Sequence, residues 1–358
     1  MTKAIGRGES SGAGTAERME APRTAEALRN LVRRINPARV TMPGLAEPSP
    51  ASHRDVAPDD AQFVTRSYRD QAGSLAYKLY IPSRYRRDQT VPLVVMLHGC
   101  KQSPDDFAAG TRMNALAEKH TCLIAYPAQT AFANALKCWN WFSPGDQRRG
   151  HGEPSLIAGI TRQIMRDYSV DRQRVYLAGL SAGGAAAAIM GTTYPDLYAA
   201  IGVHSGLAYG AASDVSSAFA AMRQAKLVPT NRARDAERYR RSVPTIVFHG
   251  DQDTTVHPGN GDAVIARAKE TTTPDLRLSV QYGRVPGGHA YSRTVQRDAS
   301  GRAILEQWVI HGSGHAWSGG SPAGSYTDPR GPDAARKMLR FFLEQPAADR
   351  LTKRIRRG

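Results

Sequence analysis

The chain is poor in cysteine, in long apolar runs and in acidic residues. Three cysteines in 358 residues are too few for a disulfide framework. The spacing of Cys100, Cys122 and Cys138 fits no zinc pattern, so no structural metal is expected. The longest continuous apolar run, Pro92 to Leu97, falls far short of the roughly 20 residues that a bilayer span requires. The start, "MTKAIGRGESSGAGTAERME", lacks the apolar stretch of about 7 to 15 residues behind a basic start that marks a secretory signal. Cytoplasmic residence is therefore the expectation. With 48 Lys and Arg against 32 Asp and Glu the net charge is +16, a balance that can signal nucleic acid or an anionic surface as partner. Much of it sits in two runs. Residues 222–242 hold seven basic and two acidic residues, and the terminal "DRLTKRIRRG" holds five and one. No nucleic-acid motif accompanies either run, so both read as solvated surface and no nucleic-acid partner is expected.

What is present is a globular composition, 41% hydrophobic, long enough for one large α/β domain. Three parts are expected. Residues 1–58, rich in Gly, Ser, Pro, Ala and charge, read as a flexible extension. Within it "TAEALRNLVRRINP" places Ala25, Leu28, Leu31, Val32 and Ile35 at helical spacing between a Thr24 cap and Pro37. Such an amphipathic helix either packs on the main domain or docks on an external apolar surface. Residues 347–358 read as a basic tail. Between them, residues 59–346 carry strand-like segments. "QFVTRSY" and "LAYKLYIP" resemble a hairpin, whereas "PLVVMLHG", "CLIAYPA", "RVYLAGLS", "AIGVHSG", "PTIVFHG" and "LEQWVIHG" are continuous apolar runs separated by helix-like stretches. A mostly parallel sheet covered by helices on both faces follows.

One segment carries chemistry. In "RVYLAGLSAGGAAAAIMG" a strand runs through Gly179-Leu180-Ser181-Ala182-Gly183 into a small-residue helix. This is the order of a nucleophile elbow, whose sharp turn lifts the serine hydroxyl above the sheet. The plain alternative is an ordinary Gly/Ser turn. A serine nucleophile needs a histidine base and a carboxylate that fixes the histidine tautomer, and in the α/β-hydrolase order the acid follows the serine and the histidine comes last. "VFHGDQDTTVHPGN" offers Asp251 and Asp253. Asp253 is the expected acid, and Asp251, nearer the strand, is expected to cap the turn. Of His257, His289, His311 and His315, the expected base is His315, in a Gly-rich loop beyond the last strand. His311 still belongs to that strand, and His289 lies between two strands of an expected hairpin. "VVMLHGCKQS" supplies a loop after an early strand. The backbone N–H groups of Cys100 and Ala182 are the expected oxyanion donors.

"LHGCKQSPDDF", "KCWNWF", "GLSAGG", "VFHGDQDTTVHPGN" and "GHAWSGG" together resemble the polyhydroxybutyrate depolymerase family of esterases, with its feruloyl-esterase-like relatives, over residues 63 to 343. The resemblance implies an α/β-hydrolase domain with Ser181, Asp253 and His315 as triad and Cys100 in the oxyanion loop, working without a cofactor. It also implies a serine esterase acting on a polyester of short hydroxyacids or its oligomers. Without a recognisable signal or appended binding domain the chain looks closer to the intracellular type, which acts on stored polyester granules. A feruloyl- or acetyl-type esterase for small soluble esters is the enzymatic alternative, and a non-catalytic granule-surface binder stands in another class. Trp139, Asn140 and Trp141 are expected at the substrate cleft, because on an extended segment the two rings share one side and can wall an ester chain; core packing is the competing reading. A Cys100–Cys138 bridge beside the oxyanion loop is left open, since a reducing cytoplasm opposes it. Oligomeric state is not read from the sequence.

Overall fold

The computed structural model describes residues 60–225, 243–272 and 275–345. The amphipathic segment at 24–36, most of the basic run at 222–242 and the tail at 347–358 lie outside the described residues.

The first strand, β1 (Gln62–Asp70), is mostly exposed and turns back through Asp70, whose carboxylate accepts the Ala72 N–H at 2.7 Å. It pairs antiparallel with β2 (Gly73–Ile81), forming the expected hairpin. Then come β3 (Val91–Leu97), β4 (Leu123–Ala128), β5 (Val170–Leu180), β6 (Ala200–His204) and β7 (Thr245–Gly250). Strands β8 (Arg277–Arg284), β9 (Ala290–Arg297) and β10 (Ala303–His311) complete the sheet. Its ten strands run in the order β1-β2-β4-β3-β5-β6-β7-β10-β9-β8. The six from β4 to β10 are parallel, and an antiparallel pair flanks each side. Every residue of β3, β6 and β7 is buried, the pattern of strands covered on both sides.

Alternation along these strands sends neighbours to opposite faces. Leu93, Val95, Leu97, Leu177, Val203 and Val247 pack with helices α3 (Gly152–Asp167), α4 (Ala182–Thr193) and α6 (Gly259–Lys269). The intervening Val94, Met96, Tyr176, Ala178, Ile246 and Phe248 pack with α1 (Pro104–Thr111), α2 (Met113–His120) and α7 (Ala334–Leu343). Helix α5 (Val215–Arg223) joins the first face through Ala218 and Ala221. The α/β-hydrolase arrangement expected from the sequence is thus present, and parallel pairing puts the ends of β5, β7 and β10 at one edge. A short ladder of β11 (Trp317–Ser318) and β12 (Thr327–Asp328) organises the loop beyond β10, an element the sequence pattern did not announce.

Candidate active site

The turn from β5 into α4 forms because its glycines admit backbone where any side chain would collide. A Cβ at Gly179 would lie 2.2 Å from the Gly183 carbonyl oxygen, and one at Gly183 only 2.1 Å from that of Leu97. The helix can therefore start immediately and seat its first turn on the end of β3. Ser181 takes the strain, with φ 57° and ψ −119°, a conformation that costs a non-glycine residue about 1–3 kcal/mol and persists only where surroundings enforce it. The enforcement comes from β6, where the His204 carbonyl accepts the Ser181 N–H at 2.8 Å.

His204 also ties this turn to the loop beyond β10. Its ring stacks on Trp317 with centroids 5.0 Å apart and accepts the Ser318 N–H on Nε2 at 2.9 Å. Burial, and then the neighbouring His249 and His315, hold its pKa well below the ordinary histidine value, so the ring is a neutral strut. The loop it holds carries His315, whose Nδ1 donates to Asp253 Oδ2 at 2.7 Å. Asp253 is fully shielded from solvent and the His315 side chain 11% exposed. The other oxygen, Oδ1, accepts the N–H groups of Thr255 and Val256 at 2.9 and 2.8 Å. Asp253 therefore holds the histidine with one oxygen and caps the turn after β7 with the other. Burial raises its pKa, but hydrogen bonds from His249 and His315 outweigh that and leave it well below the carboxylate range. His249 was missed in the sequence although it sits in "VFHGDQD". Its Nε2 donates to the Val256 carbonyl at 2.9 Å and lies 3.3 Å from Asp253 Oδ2.

Asp251 departs from expectation. It does not cap its own turn: Oδ1 accepts the Gly312 N–H at 2.7 Å and Oδ2 meets His311 Nδ1 at 2.9 Å. Backbone pairing explains the change, because Asp251 N–H bonds Ile310 O and this carries the side chain across to β10. His289 contacts Asp328 Oδ2 through Nε2 at 2.7 Å and the His311 carbonyl through Nδ1 at 3.0 Å, a structural staple at the β11–β12 loop. His257 bonds the Gly259 N–H locally.

The loop after β3 passes directly over the elbow, since a Cβ on Gly99 would lie 3.6 Å from that of Ser181. Gln102 shapes it, accepting the Gly99 N–H at 2.8 Å while donating to Asp106 at 2.9 Å and to the Ser325 carbonyl at 3.0 Å. Thus the loop with Cys100 and the loop with His315 are fastened together. Among the described residues, the N–H groups of Cys100 and Ala182 have no protein acceptor. Ala182 opens α4, where orphan amides favour negative charge. Cys100 is bonded to Cys138 at 2.04 Å between sulfurs, which settles the pairing that the sequence left open.

The expectation of an aromatic wall is corrected. Trp139 is fully buried and Trp141 is 7% exposed. Trp139 donates from its indole to the His98 carbonyl at 3.0 Å, and both rings belong to the core. The segment is not a free extended strand: Asn140 donates from its backbone and side chain to Glu153 at 2.8 and 2.7 Å. Gln129 donates to the same carboxyl. Burial, with Asp146 nearby, pushes Glu153 up to about 8 against these donors. Asn140 remains partly exposed.

The family model described as esterase PHB depolymerase matches residues 75–271. Poly(3-hydroxyalkanoate) depolymerase C of Paucimonas lemoignei is 33% identical over 253 residues, 68% of this chain and 58% of that protein. Acetylxylan esterase A of Emericella nidulans is 27% identical over 219 residues, 58% and 70% of the two chains. The solved acetyl xylan esterase from Aspergillus awamori shares the fold, with a TM-score of 0.60 at 20% identity over 79% of this chain and 99% of that one. The chain spans less than two thirds of the length of the depolymerase it matches.

Proposed function

The chain belongs to the PHB depolymerase family of esterases, and from that premise we propose that it is a serine esterase cleaving polyesters of short hydroxyacids or their oligomers. Ser181 Oγ attacks the ester carbonyl while His315 Nε2 takes its proton. Asp253 holds the His315 Nδ1–H, and the N–H groups of Cys100 and Ala182 receive the oxyanion. His315 then returns the proton to the leaving alkoxide, and a water activated by the same ring releases the acid from the acyl-enzyme. The observation that carries this reading is the solvent-shielded Asp253 bonded at 2.7 Å to His315, on a loop that His204 fastens to the strained serine turn.

A second reading, a carboxylesterase for small soluble esters, is supported by the acetylxylan esterase relative, of which the chain covers the larger share, 70% against 58% for the depolymerase. Incubation with amorphous polyester granules and, separately, with soluble acetyl and feruloyl esters distinguishes the two. Release of hydroxyacids from granules is expected. Turnover of soluble esters alone would replace the first reading with the second, and no hydrolysis of either would end both.

Docking on granules is proposed for residues 1–58. Their deletion should weaken granule binding and leave soluble-ester turnover unchanged; equal loss of both would sink that idea. A cytoplasmic address is likewise a proposal, and the Cys100–Cys138 bridge pulls against it because disulfides persist in oxidising compartments. Trapping thiols in intact cells, followed by fractionation, tests it.

A further inference from the structure

A second hydrogen-bonded Ser, His and Asp set lies where the antiparallel strand β9 meets the ends of the parallel strands β10 and β7. Ser292 Oγ is 2.7 Å from His311 Nε2, and His311 Nδ1 is 2.9 Å from Asp251 Oδ2. Asp251 Oδ1 is held by the Gly312 N–H at 2.7 Å. The order of atoms is that of a triad: a carboxylate fixes the proton on Nδ1, which leaves Nε2 bare to accept the hydroxyl. The side chains are open to solvent, His311 at 41% and Asp251 at 32%, and Ser292 is half-buried.

A separate feature adjoins it. On the edge strand β8, Leu278, Val280 and Tyr282 are 64%, 44% and 81% exposed. Their spacing of two puts them on one face, a row of apolar side chains that polar residues would ordinarily occupy. Tyr282 stands directly opposite Ser292, and Val280 opposite Thr294, so the row shares Ser292's face at a cross-strand separation of about 5 Å. His311, two residues from Val309 opposite Ser292, lies on that face as well.

We propose that Ser292, His311 and Asp251 form a second nucleophilic centre, independent of Ser181, that takes small activated esters such as aryl esters of short acids, with the aryl group resting on Tyr282 and Val280. Ser292 Oγ bonds the acyl carbon and gives its proton to His311 Nε2. The carbon–oxygen bond to the aryl group breaks, and the phenol leaves with that proton. Water then attacks the acyl-serine, its proton passing through His311 back to Ser292 as the acid departs. Ser292 lies within a strand and no helix begins beside it, so its oxyanion lacks helix-terminal amides. A missing oxyanion donor costs roughly 10²–10³ in rate, which confines the centre to good leaving groups.

The test uses the full chain carrying Ser181→Ala. A fluorophosphonate probe, losing fluoride as it bonds serine, should label that protein at Ser292, located by peptide mass spectrometry, and labelling should vanish with added His311→Gln. Hydrolysis of p-nitrophenyl acetate should drop about 10²-fold or more when Ser292→Ala is added, the low end of what a positioned base contributes. In Ser292→Cys, iodoacetamide alkylation should run faster than for an ordinary thiol below pH 7 and lose that advantage with His311→Gln. This readout does not depend on turnover. An unlabelled Ser292, unchanged hydrolysis on adding Ser292→Ala and an ordinary thiol in Ser292→Cys would overturn the proposal and leave the set as a staple between β9, β10 and the end of β7. Labelling of Ser181 in the native chain is read separately, so failure here is distinct from failure of the esterase reading.

Discussion

The parallel edge around Ser181 and the antiparallel flap of β8 and β9 around Ser292 each meet a histidine and an aspartate from the ends of β10 and β7, yet the two sets are built differently. At the parallel edge the aspartate is shielded from solvent and the histidine almost so; on the flap both are about one third or more exposed. Charge interactions at the first site act in a low effective dielectric, whereas those at the second are screened by water. Ser181 is also forced into a strained backbone beside a helix start, while Ser292 lies within a strand. What separates the two is the surroundings: a shielded acid, unpaired amides and a turn that cannot relax.

The sharpest way to break this contrast is to remove each serine. Ser181→Ala should lower kcat/KM on any ester turned over by the native chain by on the order of 10³–10⁶-fold. Ser292→Ala in the native background should change it by less than about twofold, since no helix-terminal amides adjoin Ser292. Reversed magnitudes in steady-state kinetics would exchange the roles of the two regions.

The aspartates come next. Asp253→Asn should lower kcat by about 10⁴-fold, because an amide favours the wrong histidine tautomer, whereas Asp251→Asn should stay within about threefold. Circular dichroism on both proteins separates chemistry from folding.

Glycines probe the backbones. Gly183→Ala sets a methyl 2.1 Å from the Leu97 carbonyl oxygen and should cost about 3 kcal/mol or more, at the upper end of overpacking. Gly287, in the turn of the flap hairpin, has φ +67° and open space around its Cβ position, so Gly287→Ala should cost only about 1 kcal/mol of backbone strain. Urea unfolding measures both.

The smallest effect is on thermal stability with pH, and it belongs to the parallel edge. Burial lowers His98 to about 4 and holds His204 well below the ordinary histidine value. Both rings bind a proton more weakly folded than unfolded, so their contribution is lost as pH falls from about 6.5 towards 4. Glu153 has the opposite sign: held at about 8 by burial, it binds its proton more tightly folded and loses stability as pH rises from about 4.5 to 8. Tm should therefore peak between about pH 6 and 7, and Glu153→Gln should flatten the alkaline decline. A Tm still rising at pH 8 would contradict the Glu153 assignment.

Much of this was legible in the chain because it is local. Continuous apolar runs need two covered faces, so "PLVVMLHG" and "PTIVFHG" announced a parallel sheet wherever their neighbours came from. Gly179 and Gly183 around Ser181 announced a turn, because close backbone approach leaves a mark in composition. The order of Ser181, Asp253 and His315 is likewise a property of the string. The pairing of Asp253 with His315 followed from that order, but the partner of Asp251, two residues away, did not, because only the pairing of β7 with β10 carries its side chain to His311. Nor did alternation reveal that Trp139 is core: its burial depends on Glu153 and His98, far away in sequence. His204 looked like the end of a strand until the stack with Trp317 made it the strut between the serine and histidine loops. The string settles the local needs of the backbone and the alphabet of the site. Long-range packing decides which identical residue types are shielded, strained and brought together, because dielectric and contact are properties of the folded neighbourhood.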